Sequence, residues 1–147
     1  MAFDHEALRA ALAPENLPAC AALMPFEVIA ADAAEGSVRI EFAPQSAFGN
    51  HFGDIQGGFI VAMLDLPLTL AAFLKTGEFL PTVEIKTSFL APARIGRCTA
   101  EGGVLRAGRT LVFTEAKLWS GDGTLAAHAT ATATRTGSLA MPTPHDS

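Results

Sequence analysis

One carboxylate stands inside the most apolar stretch of the chain. The run from Gly57 to Leu74 reads GGFIVAMLDLPLTLAAFL, with Asp65 near its middle. Apolar side chains at almost every position predict a helix that is enclosed on all sides. An ionised carboxylate is costly there unless it is paired, hydrated or used in a reaction. The residues alone therefore support both a structural carboxylate in a core and a functional carboxylate at a reaction site.

The start of the same predicted helix offers a second chemical group. Gly57 and Gly58 end GNHFGDIQGG, a loop rich in turn-forming residues. The first amides of a helix lack partners within it and carry the positive end of its dipole. Because glycine has no Cβ, a carbonyl group can approach these amides closely. The glycine pair also suits a tight turn into the helix, and the two interpretations are compatible.

Composition and charge narrow the classes of protein. The chain has 147 residues, half of them hydrophobic, with a net charge of −5, which predicts a single ordered domain over 1–147. The absence of a Lys/Arg cluster argues against a nucleic-acid partner. The apolar run is shorter than the ~20 residues that span a bilayer, and Asp65 and Pro67 interrupt it. We therefore expect no membrane partner.

The compartment is predicted from the N-terminus and the cysteines. The first residues, MAFDHEALRA, lack the basic and apolar regions of a signal peptide. We therefore expect a cytoplasmic protein. Cys20 and Cys98 have no metal-binding spacing and are expected to be two buried thiols of a reducing compartment.

The segments around the helix predict an antiparallel sheet. An N-terminal helical segment (1–25) is broken by prolines, two strands turn near Gly36, and the second half of the chain is nearly all strand. Gly77 is expected to end the helix, and Pro67 to kink it. A loose tail is expected at 137–147.

Alternation within two of these strands predicts which side chains share a face. In Thr82–Leu90 the residues Val83, Ile85 and Phe89 share one face. In the last strand, LAAHATATATRT, alanines occupy one face and leave room for a helix to approach the sheet. The expected architecture is α+β, with a long antiparallel sheet wrapped around one central apolar helix.

This order of elements resembles the hot-dog fold. The run Asn50-x-x-Gly53-x-x-Gly57-Gly58, followed by an acid at 65, resembles the acyl-CoA thioesterases of the phenylacetate-degradation type. The stretch TVEIKTSFLAPA at 82–93 and the Gly108-Arg109 turn fit the same branch. The resemblance spans roughly residues 26–136. It implies hydrolysis of an acyl-CoA to a free acid and coenzyme A, with no cofactor beyond the coenzyme A of the substrate and no metal.

The resemblance also implies catalytic roles. The Gly57 amide polarises the thioester carbonyl, and Asp65 acts as general base or nucleophile. Asn50 either holds the loop and the acid or water, or caps a turn. Gln56 stands where the family usually has His. Since Gln donates a hydrogen bond but cannot carry a proton as imidazole does, it is expected only to position the substrate.

Two threonines compete for the role of steadying the attacking water. Thr82 begins the strand after the helix, where related enzymes carry Ser or Thr, and is preferred. Thr69 lies one turn after Asp65, at a spacing that another branch uses. Thr82 is also explained as a β-branched residue that suits a strand.

The helix and a hairpin tip supply the expected substrate contacts. The residues expected to bind the acyl group are Gly58, Val61, Ala62, Leu68, Thr69 and Ala72. Their mostly apolar character implies a hydrophobic acyl group, with aromatic and medium-chain groups both open. Arg106 and Arg109 could meet the phosphates of coenzyme A, but solvated turn charges explain them at least as well. Arg94 and Arg97 have slightly less support.

The spacing of the two catalytic groups predicts an oligomer. At 1.5 Å per residue, Asp65 lies ~12 Å along the helix axis from Gly57, whereas a base must lie about 3 Å from the water that it activates. A second copy of the helix, antiparallel across a twofold axis, would bring one subunit's Asp65 beside the other's Gly57. We therefore expect a homodimer with two shared sites, which assembles further into a homotetramer.

Other functions stay open from the sequence. Gln56 in place of His leaves room for a non-catalytic acyl-CoA binding or sensing module. A same-fold acyl-CoA dehydratase or hydratase would generally have a catalytic His, which is not evident here, and His51 lies beside that position rather than on it. A purely structural oligomer predicts that Asp65→Leu stabilises the fold.

Overall fold

The sheet is built from hairpins whose turns the sequence marks. The computed structural model describes residues 5–140, and all neighbouring strands of its six-stranded sheet are antiparallel, in the order β1-β2-β5-β6-β7-β4. The strands are β1 (Phe26–Asp32), β2 (Ser37–Phe42), β3 (Glu78–Phe79), β4 (Thr82–Phe89), β5 (Cys98–Ala107), β6 (Leu111–Trp119), β7 (Leu125–Thr134) and β8 (Leu139–Ala140). The helices are α1 (Glu6–Ala11) and α2 (Gly57–Thr76), with 3-10 turns at Pro14–Asn16, Ala19–Leu23 and Ser46–Phe48. The predicted α+β architecture is confirmed.

The central helix is α2, which packs against the inner face of the sheet. Most of its apolar side chains are buried, and Gly77 ends it in the left-handed conformation at φ 78°. Among residues 5–140, this helix alone is long and apolar enough to cross a membrane, but 56% of its most apolar window, with mean hydropathy 1.9, is buried within the fold. That burial is typical of a core helix.

The helix touches the sheet at a proline and a glycine. Pro67 lies within α2, which nevertheless continues to Thr76. A Cβ on Gly102 of β5 would lie 2.3 Å from the Pro67 carbonyl oxygen. Only glycine fits this contact between the two backbones. The predicted alanine face of β7 is also buried toward the helix, at Ala127, Ala129, Ala131 and Ala133.

Two expectations for the chain outside the helix are corrected, and one is met. As expected, the N-terminal segment consists of short helical pieces, one α-helix followed by 3-10 turns, because the prolines at 14 and 18 prevent longer helices. The segment predicted to be loose from 137 begins with β8, which pairs with β3; residues 141–147 lie outside the described part. Cys98 is buried as predicted, but Cys20 is exposed on a 3-10 turn.

Candidate active site

Asp65 lies on the least enclosed side of α2. Its Oδ1 accepts a hydrogen bond from Thr82 Oγ1 at 3.4 Å. Within residues 5–140 no main-chain amide donates to this carboxylate. Burial raises the pKa of Asp65, and the Thr82 hydrogen bond lowers it by less. The carboxyl group is therefore better matched to accepting protons near neutral pH than an exposed aspartate would be.

A β-bulge aims Thr82 at the helix. Thr82 pairs with Ala133, but the next paired residue on β4 is Glu84, which faces Thr132. Val83 is the extra residue, and its side chain is 62% exposed. Strict alternation predicts that Val83 shares a face with Ile85 and Phe89, and that prediction is wrong. Because the bulge reverses the alternation, the hydroxyl of Thr82 shares the inner face with Ile85 and reaches Asp65.

The start of α2 presents free amide donors. The Gln56 carbonyl accepts the amides of Phe59 and Ile60, at 2.9 and 3.1 Å. In the described part of the chain, the amides of Gly57 and Gly58 have no acceptor. The Gln56 side chain is exposed and makes no capping hydrogen bond. The two main-chain donors that the sequence predicted, the amides of Gly57 and Gly58, are therefore available to a ligand. The exposed carboxamide of Gln56 lies beside them.

Phe89 lies directly over the first glycine. A Cβ built on Gly57 would lie 3.3 Å from the Phe89 ring. The ring is 55% exposed although it stands on the inner face of β4. Phe89, Gly57 and residues of the 50–55 loop and of 90–93 line a surface hollow of about 410 Å³, named here the Gly57 hollow.

Asn50 closes the loop that leads into α2. Its Oδ1 accepts hydrogen bonds from the main-chain amides of Phe52 at 2.9 Å and Asp54 at 3.1 Å. The main-chain N–H of Asn50 donates to the Asp54 carbonyl at 2.8 Å. This is the turn-capping alternative of the sequence analysis. Asn50 holds the loop, and its side-chain oxygen makes its recorded contacts there rather than with Asp65.

An ion pair that sequence reasoning missed holds the same loop. Arg94 Nη1 lies 2.7 Å from Oδ1 of Asp54, whose side chain is only 10% exposed. The Ile55 amide donates to the Ala93 carbonyl at 2.8 Å beside it. Forty residues separate the two charges, and no local pattern pairs them. Arg94, a weaker candidate for coenzyme A phosphates, instead fastens the loop before Gly57.

A separate cavity of about 560 Å³ opens beside Asp65 and is named here the Asp65 cavity. Ala62 and Thr69 line it together with Asp65. Leu68 and Ala72, also expected to bind the acyl group, do not line this cavity, and they are 3% and 2% exposed within the core. Gly58 and Val61 do not line it either.

The two proposed catalytic groups do not meet within one protomer. Gly57 opens on the Gly57 hollow and Asp65 on the Asp65 cavity, about two helical turns apart. Arg106 and Arg109 are exposed near the tip of the β5–β6 hairpin, and neither makes an ion pair with another residue of the described range. Residues 5–140 contain no cluster of three His, Cys, Asp or Glu side chains that could hold a metal.

Comparison with known proteins identifies the family. A family model described as the thioesterase superfamily matches residues 52–127, more than half of the chain. The chain belongs to the thioesterase superfamily. The matched range contains Gly57, Asp65 and Thr82 but leaves out the N-terminal segment. As the resemblance implied, the protein is a thioester hydrolase with a hot-dog fold.

Individual relatives agree with this assignment. A curated relative from Saccharolobus solfataricus, whose name proposes an esterase, is 34% identical over 97 residues, which are 65% of this chain and 69% of the relative. The structure also resembles a phenylacetic acid degradation-related protein of Ralstonia eutropha JMP134, with a TM-score of 0.78, 32% identity and coverage of 88% and 99% of the two chains.

Two more distant structures share the fold. The PaaI protein of the E. coli phenylacetic acid degradation operon superposes with a TM-score of 0.81 at 20% identity, covering 93% of this chain and 98% of that one. A Streptococcus mutans UA159 protein bound to acetyl CoA has a TM-score of 0.69 at 19% identity, covering 80% and 91%.

Proposed function

We propose that this thioesterase hydrolyses acyl-CoA thioesters with a hydrophobic, aromatic or medium-chain acyl group, using Asp65 of one protomer and the Gly57 amide of another. The observation that carries the proposal is the environment of Asp65. Its carboxyl group has a raised pKa, accepts from the described residues only one long hydroxyl hydrogen bond, and opens on an apolar cavity. A carboxylate kept only for structure would be expected to accept main-chain donors.

In the proposed reaction, Asp65 accepts a proton from a water molecule that the Thr82 hydroxyl orients. The water oxygen attacks the thioester carbonyl, and the Gly57 amide stabilises the negative charge on the carbonyl oxygen. The tetrahedral species then collapses, the C–S bond breaks, and the leaving thiolate takes up the proton. Gln56 positions the substrate beside the donor and carries no proton.

Oligomerisation belongs to the same proposal. A free amide and a carboxylate about two turns apart on one helix can serve one carbonyl only if a second, antiparallel helix is present. The elements available for that pairing expose apolar side chains. Phe59 on α2 is 42% exposed, and β4, which carries the exposed Val83, is an edge strand. We expect a homodimer with two equivalent sites, assembling into a cytoplasmic homotetramer.

Two comparisons support the substrate class. The similar protein from Ralstonia eutropha is related to phenylacetic acid degradation, and the fold neighbour from Streptococcus mutans binds acetyl CoA. The proposal assigns no part to a metal or prosthetic group. It therefore predicts that turnover in the presence of a chelator equals turnover in its absence.

The decisive experiment is thiol release from a panel of acyl-CoA esters. Asp65→Asn should lower kcat by about 10²–10⁴-fold because the base is lost, while binding of the ester persists. Thr82→Val should lower kcat and Thr82→Ser should restore most of it. The control is Asp122→Asn, in an exposed turn, which should hydrolyse like the original chain.

Other outcomes would identify other functions or mechanisms. Binding without hydrolysis by any form would indicate a sensing module, and interconversion of 2-enoyl and 3-hydroxyacyl esters would indicate a hydratase. An acyl group found on Asp65 by mass spectrometry of rapidly quenched enzyme would make that carboxylate the nucleophile. Unchanged hydrolysis by Asp65→Asn would remove the basis of the proposal.

A further inference from the structure

One wall of the Asp65 cavity comes from a part of the chain that the family model does not cover. The N-terminal segment, residues 6–24, folds over α2 and faces Ala62 and Leu66 across the cavity. The match to the thioesterase superfamily begins only at residue 52. The wall contributed by this segment is formed by Ala11, Leu12, Leu17, Cys20, Ala21 and Met24.

The chemistry of the cavity suits an apolar group that ends at a carboxylate. Among the lining residues within 5–140, Asp65 is the only charged one, and the polar side chains are Asn16, Thr69 and the Cys20 thiol. The hydrophobic contributors come from the N-terminal segment, from α2 and from Phe26, Phe79 and Leu139. A ligand gains by burying apolar surface against such walls.

The cavity is too large for a very small acyl group to fill it. An apolar cavity of about 150 Å³ already accommodates benzene, and the Asp65 cavity measures about 560 Å³. An acetyl group would leave most of this space unfilled. An acyl chain of medium length, or an aromatic ring on a short linker, would contact both the helix and the N-terminal wall.

We propose that the N-terminal segment is the wall that selects the acyl group by length, and that the Asp65 cavity holds the acyl tail of the substrate. This inference rests on the proposed function, because it takes the thioester carbonyl to lie at Asp65. It goes beyond the proposed function because it assigns selectivity for acyl length to the N-terminal segment, which lies outside the range that the family model matches. Cys20 and Leu17 belong to this wall.

Covalent modification of Cys20 can reduce the space in the Asp65 cavity without a mutation. It is exposed and lines the cavity, whereas Cys98 is 0% exposed. Alkyl methanethiosulfonates of increasing length would therefore add methyl, butyl or octyl groups at Cys20 in the folded enzyme. A reductant removes the adduct, so that each sample serves as its own control.

The readout is kcat/KM for butyryl-CoA and decanoyl-CoA, followed by loss of thioester absorbance because a thiol-trapping dye would react with Cys20. The octyl adduct should lower kcat/KM for decanoyl-CoA by about tenfold or more, a loss typical of a blocked hydrophobic pocket. Hydrolysis of butyryl-CoA should change less than about twofold. The methyl adduct should lie between the octyl adduct and the unlabelled enzyme.

Two variants control for labelling itself. Cys20→Ser should hydrolyse both esters alike before and after treatment. Ala22 is exposed on the same 3-10 turn but lines a different surface hollow, between this segment and β1. The double variant Cys20→Ser/Ala22→Cys therefore places the octyl group outside the Asp65 cavity, and its preference between the two esters should not change.

The results separate the two proposals. Equal losses for both esters, or no loss with the octyl adduct, would overturn the assignment of the acyl tail to this cavity. If no acyl-CoA ester is hydrolysed, the proposed function fails, and calorimetric binding of decanoate then tests the cavity alone. Binding that the octyl group abolishes would support the cavity as an apolar-tail site, and binding unaffected by it would overturn that assignment.

Discussion

The shared active site makes a quantitative prediction about mixed oligomers. Two variants are needed, each lacking one of the two groups. Asp65→Asn removes the base. Gly57→Pro removes the amide donor, and proline suits the first position of a helix. The preceding Gln56 already has the extended conformation, φ −60° and ψ 138°, that a residue before proline prefers.

The Gly57→Pro variant is expected to fold because its lost N–H has no acceptor in residues 5–140. The added Cβ would meet only the end of the half-exposed Phe89 ring, at 3.3 Å. Gly57→Ala makes the same new contact but keeps the amide, and is the matched control. Loss of one oxyanion donor costs about 10²–10³ in kcat, so the alanine variant should retain far more activity than the proline variant.

The recovery expected from mixing follows from the symmetry of the dimer. A mixed dimer has one site with both defects and one with neither, because each site takes Asp65 from one protomer and Gly57 from the other. Random pairing of equal amounts makes half of the dimers mixed, so about one quarter of the original site activity should return. A site built within one protomer would give no intact site in any mixed dimer.

The assay co-expresses the two variants with different affinity tags and isolates the doubly tagged oligomer, which should have about half of the original activity as a dimer and roughly 30% as a tetramer of randomly combined dimers. Each variant purified alone should have residual activity only. A doubly tagged oligomer no more active than its parents would refute the shared site. It would do so without bearing on whether Asp65 is required for hydrolysis.

Three further predictions concern the carboxylate, the helix contact and the loop. Because burial raises the folded-state pKa of Asp65 above 3.8, its charge costs stability at neutral pH. Asp65→Asn should therefore melt at a higher temperature than the original chain at pH 7, with the difference shrinking as the pH falls through the raised pKa. Gly102→Ala should lose about 1–3 kcal/mol of unfolding free energy, measured by denaturant titration, because its Cβ overlaps the helix backbone. The control Gly103→Ala, whose Cβ would have nothing within 4 Å, should change the unfolding free energy little. Arg94→Met leaves the Asp54 carboxylate buried without its partner and should lower the free energy of unfolding by about 1–3 kcal/mol. The control Lys117→Met, at an exposed strand position, should cause no such loss.

Much of the fold could be predicted because its signals are local. The uninterrupted apolar run requires a helix that the rest of the chain encloses, and Gly77 ends it as predicted. The alanine face of β7 lies toward the interior as the alternation indicated. These features depend on the period of the side chains along one element, which a sequence records directly.

The failures have a common physical cause. Alternation misplaced Val83 because a β-bulge depends on how β4 pairs with β7, and that pairing involves residues about fifty positions away. The Arg94–Asp54 ion pair and the contact between Pro67 and Gly102 likewise join distant segments. Helical spacing cannot show which side of an apolar helix the sheet covers, so it could not predict that Leu68 is buried in the core.

Local pattern and spacing encode the central helix, its acid and glycine donors, the α+β class and the family, so these features could be predicted from the residues. Three features could not: Thr82 reaches Asp65, the glycine donor and the acid open on separate hollows, and residues 6–24 line the Asp65 cavity. Those features arise when segments far apart in the chain pack together, and the free energy of that packing belongs to no single stretch of residues.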